Sequence, residues 1–354
     1  MAYTTIDDPS EYFHTLLYTG NASDDRNLTN DANAGDFKPD WLWIKERNST
    51  SSHQLIDSNR GTRYAALSDS SNVEDDDQNR VQSFLTDGFQ VGTASTVNEN
   101  NKTYVAWQWK ANGGTTSSNT SGSITSTVQA NTTAGFSIVT WTGTEGNATV
   151  GHGIGKRPEC IIVKTRGGDE NWVVRFKDTI TGNAFHKLHL NKTNAIAVDY
   201  TLGNMQDTSS SVFYLQNSGQ ENDSGQPMVA YCFAPIQGYS KFGSYTGNGN
   251  ADGAFVYTGF KPAWLMIKRT DSAQNWILTD STRNTFNLAS KRLFPNLNDA
   301  EATSSGTNDF DLVSNGFKCR TNHVEINTSG GTYIYIAFAE HPFVSSKGAP
   351  TTAR

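Results

Sequence analysis

Residues 37–47 read FKPDWLWIKER. Two tryptophans sit two apart, Pro39 precedes them and Lys45 follows Trp43 by two. In a strand, side chains alternate between faces, so Trp41, Trp43 and Lys45 share one face while Leu42 and Ile44 share the other. The stretch recurs twice, as KRPECIIVKTR at 156–166 and KPAWLMIKRT at 261–270. Pro39, Pro158 and Pro262 align, each followed six residues later by Lys45, Lys164 or Lys268. Eight residues beyond each lysine stands His53, Trp172 or Trp276. In the first and third copies Asp57 and Asp280 lie twelve beyond it, and Arg60 and Arg283 fifteen beyond it.

Each copy is framed by two further strand signals. LLYTGN (16–21), IVTWTGT (138–144) and GSYTGN (243–248) come before it, and TYVAWQW (103–109), PMVAYCF (227–233) and YIYIAFA (333–339) close it. One unit is therefore about 100 residues long, and the chain holds three of them. Short β-branched and aromatic runs between Gly, Asn, Asp and Ser clusters predict an all-β fold of three tandem β-sandwich modules, jelly-roll or lectin-like in type. The predicted boundaries are 1–112 for the first module with a short N-terminal helix, and 113–122 for a flexible Gly/Ser/Thr/Asn linker. The second module follows at 123–238, opening on a further strand, SITSTVQA (123–130), and the third at 239–354, ending in an extended C-terminal tail. The second and third units meet at IQGYSKFGS with no such linker, which predicts a more rigid joint. The helix is predicted where Asp8 caps, Pro9 takes the first helical position and Glu11 the third.

The repeats also sort packing from function. Trp41 and Trp43 become Cys160 and Ile162 in the second copy, and Trp264 and Met266 in the third. Those changes keep hydrophobicity and destroy a stacking surface, so the strand is read as core with both faces covered. The proline and lysine persist in all three units and form the repeat signature. The lysine is expected to pair with Asp57 or Asp280, as a structural ion pair or a polar site. His53, Asp57 and Arg60, with Trp276, Asp280 and Arg283, combine a ring, a carboxylate and a guanidinium. They are candidate glycan contacts, the alternative being a turn held by local Asp and Arg bonds. The middle unit reads NWVVRFKD there and lacks the set.

Composition supports the same class. The 354 residues are 35% hydrophobic, and the net charge of −7 favours neither nucleic acid nor acidic membranes. No run approaches the ~18 apolar residues of a membrane span, and the N-terminal stretch lacks the apolar core of a secretory signal. Cys160, Cys232 and Cys319 are read as buried thiols, and the Asn-x-Ser/Thr triplets as chance. His186 and His189 fall on opposite faces of a strand, which argues against a metal site. The acidic run Glu74–Asp77 lacks the spacing of a calcium loop and reads as a solvated loop, with calcium the alternative. No GxSxG, HExxH or phosphate loop is present. Thus no catalytic, metal or cofactor residue is expected.

Three longer strings carry a resemblance. The start MAYTTIDDPSEYF…LYTGN, the joint GYSKFGSYTGNGNADGAFVYTGFKPAWLMIKRT and the end GGTYIYIAFAEHPFVSSKGAPTTAR resemble a family of marine bacteriophage virion proteins. Members are labelled tail fibre, tail or structural protein and carry tandem modules without assigned function. The resemblance covers the whole chain and supplies no ligand residues. It implies a non-enzymatic virion component, made in the host bacterial cytoplasm and released by lysis. Its partners would be other virion proteins of tail, neck or capsid, and host surface glycans. A homo-oligomer is expected, a trimer by analogy with phage fibres, although no coiled-coil heptads enforce one. Host adhesion stands first, a purely structural decoration or connector second, and a surface-polysaccharide depolymerase third.

Overall fold

In a computed structural model of the chain, residues 2–30, 36–177, 186–303 and 309–350 are described. Each signature strand lies inside a large antiparallel sheet, and the sheets repeat one strand order. In the first unit Phe13–Thr19 pairs with Thr103–Trp109, which pairs with Trp41–Glu46, which pairs with Gln54–Asp57. The second unit has Phe136–Thr142, Pro227–Phe233, Cys160–Thr165 and Val173–Phe176 in the same order. The third has Ser240–Thr246, Thr332–Pro342, Phe260–Arg269 and Trp276–Asp280. The chain is nearly all β. The N-terminal helix is a single 3₁₀ turn, Pro9–Glu11, capped by the Asp8 side chain, which accepts from Ser10 N.

Two faces of each large sheet are buried for two different reasons. Outward, Leu42 and Ile44 meet Val81, Phe89 and Val91 of a small sheet. Ile161 and Val163 meet Val150, Phe213 and Leu215 in the same way, and Leu265 and Ile267 meet Phe310, Leu312 and Phe317. Inward, the three large sheets share one central cluster. Trp41 stacks on Tyr231 of the second unit at 4.2 Å, Trp109 meets Trp264 of the third edge-on at 5.6 Å, and Phe233 meets Phe338 at 5.8 Å. All six residues of Trp41–Glu46 are buried, as the repeat comparison predicts. The tryptophans do stack, but on the chain itself.

In the first and second copies the proline precedes the point where the signature strand joins the ladder. The residue after it, Asp40 or Glu159, donates its N–H to the closing strand, from Asp40 to Trp109 O and from Glu159 to Phe233 O. In the third copy Pro262 falls within the strand, and the register shifts on both sides of it. A residue without an N–H is accommodated at a strand start or a bulge.

The segment expected as a linker at 113–122 is hydrogen-bonded at its start to the first unit. Asp40 accepts the N–H groups of Ala111, Gly113 and Gly114 at 2.6–2.8 Å. Ser117–Asn119 then pairs with Ser126–Asn131 as the outer strands of the second large sheet. A composition of Gly, Ser, Thr and Asn signals turns as readily as freedom, and here one buried carboxylate orders the turn. The N-terminal residues cross to the third unit, where Tyr3 Oη donates to Gly259 O at 2.7 Å and Thr4 Oγ1 to Gln237 O at 2.8 Å. In the C-terminal tail Val344 bridges to Pro350, and residues 351–354 lie outside the described residues.

Candidate functional site

The six candidate glycan contacts are not on the surface. His53, Asp57, Trp276 and Asp280 are completely buried, and Arg60 and Arg283 nearly so. The turn reading is half of the explanation. Asp57 accepts from Asn59 N and Arg60 N, and Asp280 from Arg283 N, as the spacing of a turn requires. The other half lies between units. Asp57 and Arg60 meet the second unit, where Arg60 Nε reaches Asp57 Oδ2 at 2.5 Å and Tyr231 Oη donates to the same oxygen at 2.8 Å. Arg60 Nη1 bonds Glu74, whose carboxylate also binds Arg166 of the second unit. Asp280 and Arg283 meet the first unit in the same way. Trp107 Nε1 donates to Asp280 at 3.1 Å, and Glu301 binds both Arg283 and Arg47.

Among the described residues, the third junction, between units two and three, carries none of these ion pairs. Phe176 stands at the place of Asp57 and Ile336 at the place of Tyr231 and Trp107. Glu74 N donates to Arg166 O, Glu301 N to Arg47 O and Ile196 N to Thr270 O, so Ile196 and Thr270 replace the acid and the arginine. Thr179 occupies the sequence place of Arg60 but lies outside the described residues, as does Asp178 at the end of NWVVRFKD. Two junctions are thus charged on both sides, and one is uncharged at every described position of the set.

The lysines do not pair with Asp57 or Asp280. Lys45, Lys164 and Lys268 each donate to the next residue's carbonyl, of Glu46, Thr165 and Arg269, at 2.6–2.7 Å. Lys164 also binds Ser71 O of the first unit, and Lys268 binds Thr193 O of the second. Burial lowers all three to about 8. The position eight beyond each lysine works similarly. Trp172 donates to Leu67 O, Trp276 to His189 O, and His53 Nε2 lies 3.0 Å from Phe294 O. Trp43 Nε1 donates to His53 Nδ1, which leaves the His53 proton on Nε2 for that carbonyl. The position eight beyond the lysine thus reads a neighbouring unit's loop in all three copies, and the lysine does so in the second and third, Lys45 bonding Glu46 O and Ser49 O of its own unit.

The acidic run is likewise spoken for by arginines. Glu74 sits in the first junction, Asp75 pairs with Arg80 and Asp76 with Arg63. Among the described residues no group of three or more His, Cys, Asp or Glu side chains could hold a metal. The three cysteines are buried and form no disulfide.

What stays open is a cleft of about 860 Å³ at the seam of the first and third units. Phe13, His14 and Thr15 form one wall, and Lys261, Ser281, Thr282 and Thr285 the other. Glu340, His341, Asp7 and Asp8 line it too. Glu340 Oε1 pairs with Lys261 at 2.5 Å, while its Oε2 has no partner. Sequence reading missed this cleft, because its walls come from positions far apart in the chain. It also missed Tyr231, Trp107, Glu74 and Glu301 as junction groups. Their signal was present in the aligned closing strands, where Trp, Tyr and Ile share one place.

Residues 8–342 match the family described as "Domain of unknown function (DUF7483)", and the chain belongs to that family. No curated protein and no solved structure matches the chain.

Proposed function

We propose that this family member is a non-enzymatic structural component of a bacteriophage virion, built as three β-sandwich modules of jelly-roll or lectin-like type and docked on other virion proteins. The observation that carries the reading is the use made of the buried polar residues. The buried Asp57–Arg60 and Asp280–Arg283 pairs, with Glu74, Glu301, Lys164 and Lys268, are engaged in holding units to one another. Such a body presents fixed outer surfaces at defined spacing, which is what a particle component needs. The virion assignment itself rests on the sequence resemblance. A homo-oligomer, a trimer by class, would have to use outer faces, since the inward faces are filled by the chain's own three units. Antibody labelling of purified particles tests the proposal. Labelling of tail, neck or capsid is expected, and absence of the protein from purified particles would sink it.

Host adhesion is the second reading, favoured by a separate observation. Phe255 and Tyr257 are about half exposed on one short strand, and Lys241 Nζ lies over the Tyr257 ring at 5.1 Å. An exposed ring beside a cation is the equipment of a sugar-stacking site. Binding on a glycan array that Tyr257→Ala abolishes would support adhesion; a blank array with the oligomeric protein would remove it. Release of reducing ends from host polysaccharide is not expected.

A further inference from the structure

The second large sheet has a strand that the first lacks. Ser126–Asn131 pairs along the outside of Phe136–Thr142, matching Asn131 with Phe136, Gln129 with Ile138 and Thr127 with Thr140. Its other edge pairs with Ser117–Asn119, and two of its residues also reach the first unit. Asn59 Nδ2 donates to Thr127 O at 3.0 Å, and Gln129 Nε2 donates to Ser58 Oγ at 2.9 Å. The strand therefore fills a slot between a sheet edge of unit two and the Ser58–Asn59 turn of unit one.

The same slot exists at the seam of units three and one, and there it is the cleft. Phe136, Ser137 and Ile138 correspond to Phe13, His14 and Thr15, since Phe136 pairs with Phe233 as Phe13 pairs with Trp109. Ser58 and Asn59 correspond to Ser281 and Thr282, thirteen and fourteen beyond their lysines. Both walls are present, and among the described residues Phe13–Thr19 is paired on one side only. Tyr12 O accepts Lys110 N and Gly20 N donates to Lys102 O, so the even positions bond inward. In an antiparallel ladder the alternate residues Phe13, Thr15 and Leu17 then turn their backbone N–H and C=O outward. Thr15, 6% exposed, lines the cleft, and its Oγ1 has no hydrogen-bond partner.

We infer that this cleft is a strand-acceptor site, taking an extended segment of a different polypeptide by β-augmentation. The occupant's chemistry follows from the filled slot and from charge. It is a polar segment rich in Ser, Thr, Asn or Gln, like Ser126–Asn131, with a basic residue where Asn131 would fall. That position lies beside Phe13 near Asp7 and Asp8, whose carboxylates accept from Ser346 and Ser10; Lys347 stands near Asp7 and Lys261 pairs with Glu340, so the acids there outnumber the lysines by one. Main-chain bonds supply affinity in such additions, and alternate side chains supply specificity. Phe286, four-fifths exposed and next to the lining residue Thr285, offers an apolar contact that a protein partner would cover. The inference does not depend on where the chain resides, because the vacant slot is a property of the fold.

Amide hydrogen exchange on the full chain tests it, with the synthetic peptide SITSTVQAN, the sequence of residues 123–131, as the probe. The Phe13, Thr15 and Leu17 amides should exchange quickly alone and slowly at millimolar peptide. SITSTVQAK should bind about two- to fivefold tighter at low salt. Thr282→Trp, an exposed position, should weaken peptide binding at least tenfold without changing the melting temperature. Absence of peptide-dependent protection at those amides, or equal binding by Thr282→Trp, would overturn the inference. A concentration-dependent dimer that Thr282→Trp abolishes would make the occupant a second copy of this chain. Protection by host oligosaccharide and not by peptide would make it a glycan. Either outcome overturns the assignment to a different polypeptide.

Discussion

Replacing Arg60 with Leu isolates the first polar junction. Its guanidinium has no exposed surface and makes four contacts: Asp57 at 2.5 Å, Glu74 at 3.0 Å, Leu55 O at 2.8 Å and Tyr231 Oη at 3.0 Å. Removing one partner of a buried ion pair costs about 3–5 kcal/mol, because the other charge stays buried. Asp57 would keep three donors, Asn59 N, the residue-60 N–H and Tyr231 Oη. Glu74 would keep Arg166. The loss should therefore fall at the lower end, about 3 kcal/mol. The chain also contains its own control, the apolar junction. Transplanting that set into the first junction, as Asp57→Phe, Arg60→Thr, Glu74→Ile, Arg166→Thr and Tyr231→Ile, removes every charge together. Exchanging a whole buried ionic group for apolar residues is often neutral or stabilising. Urea unfolding followed by tryptophan fluorescence should thus place the quintuple variant within about 1 kcal/mol of the parent, above the single variant. An Arg60→Leu variant that lost under about 1 kcal/mol, or a quintuple variant as weak as the single one, would refute this account of the junction.

Three further outcomes are expected. Burial lowers the Lys45, Lys164 and Lys268 ammonium groups from 10.5 to about 8, so between those values the unfolded chain binds more protons and stability rises with pH, by about 1 kcal/mol per lysine from pH 8 to 9. Burial raises the Cys160, Cys232 and Cys319 thiols above 9, which opposes the rise and flattens it near pH 9; thermal melting should show this, with about a third of the lysine contribution missing in Lys268→Met. Burial holds His53 well below 6.5, so its stability contribution is present above pH 6.5 and is lost as pH falls; hydrogen exchange at pH 5 should show the third–first junction loosening before the two that carry Trp172 and Trp276. Lys164→Met keeps the aliphatic stem and strips the donor from Ser71 O, Thr165 O and Gly168 O, with an expected loss of about 1–3 kcal/mol in the same unfolding assay.

How far the sequence could be read depended on which comparison the repeats allowed. Strand class, the recurrence of the framing strands and the double burial of WLWIK were legible, because three copies vary in residue and agree in pattern. The fate of Asp57 and Arg60 was half legible. A carboxylate three residues before a guanidinium predicts a turn, and the turn is there. Exposure was the wrong inference from polarity, because the groups that satisfy this pair stand in another unit. Tyr231 is 174 positions from Asp57, and Trp107 is 173 from Asp280. Local spacing cannot reveal such partners. Comparing all three units at both ends of the contact can: where Asp becomes Phe176, the hydroxyl or indole opposite becomes Ile336. The cleft was hidden for a related reason. SITSTVQA was visible as an extra strand of unit two, but its absence before unit one becomes a slot only when both walls are placed in space.

The matching of polar with polar and apolar with apolar also settles a problem that similar repeats create for themselves. Each unit has an outgoing set, such as Asp57, Arg60 and Glu74, and an incoming set, such as Tyr231 and Arg166. In the observed order, first to second to third and back to first, all three junctions match. In the reverse order, the first unit's outgoing charges would face Ile336 and Thr270. The second unit's Phe176 and Ile196 would face Trp107 and Arg47. Two junctions would then bury charges without partners, at about 3–5 kcal/mol for each broken pair. Making all junctions apolar removes that penalty while leaving the correct ring about as stable. The quintuple variant combined with Asp280→Phe, Arg283→Thr, Glu301→Ile, Arg47→Thr and Trp107→Ile should therefore unfold near the parent's midpoint. After refolding from urea it should give a mixture of misordered or swapped oligomers on size exclusion, where the parent gives one species. A single species from the fully apolar variant would mean that chain connectivity alone dictates the order and that the charges do not specify it.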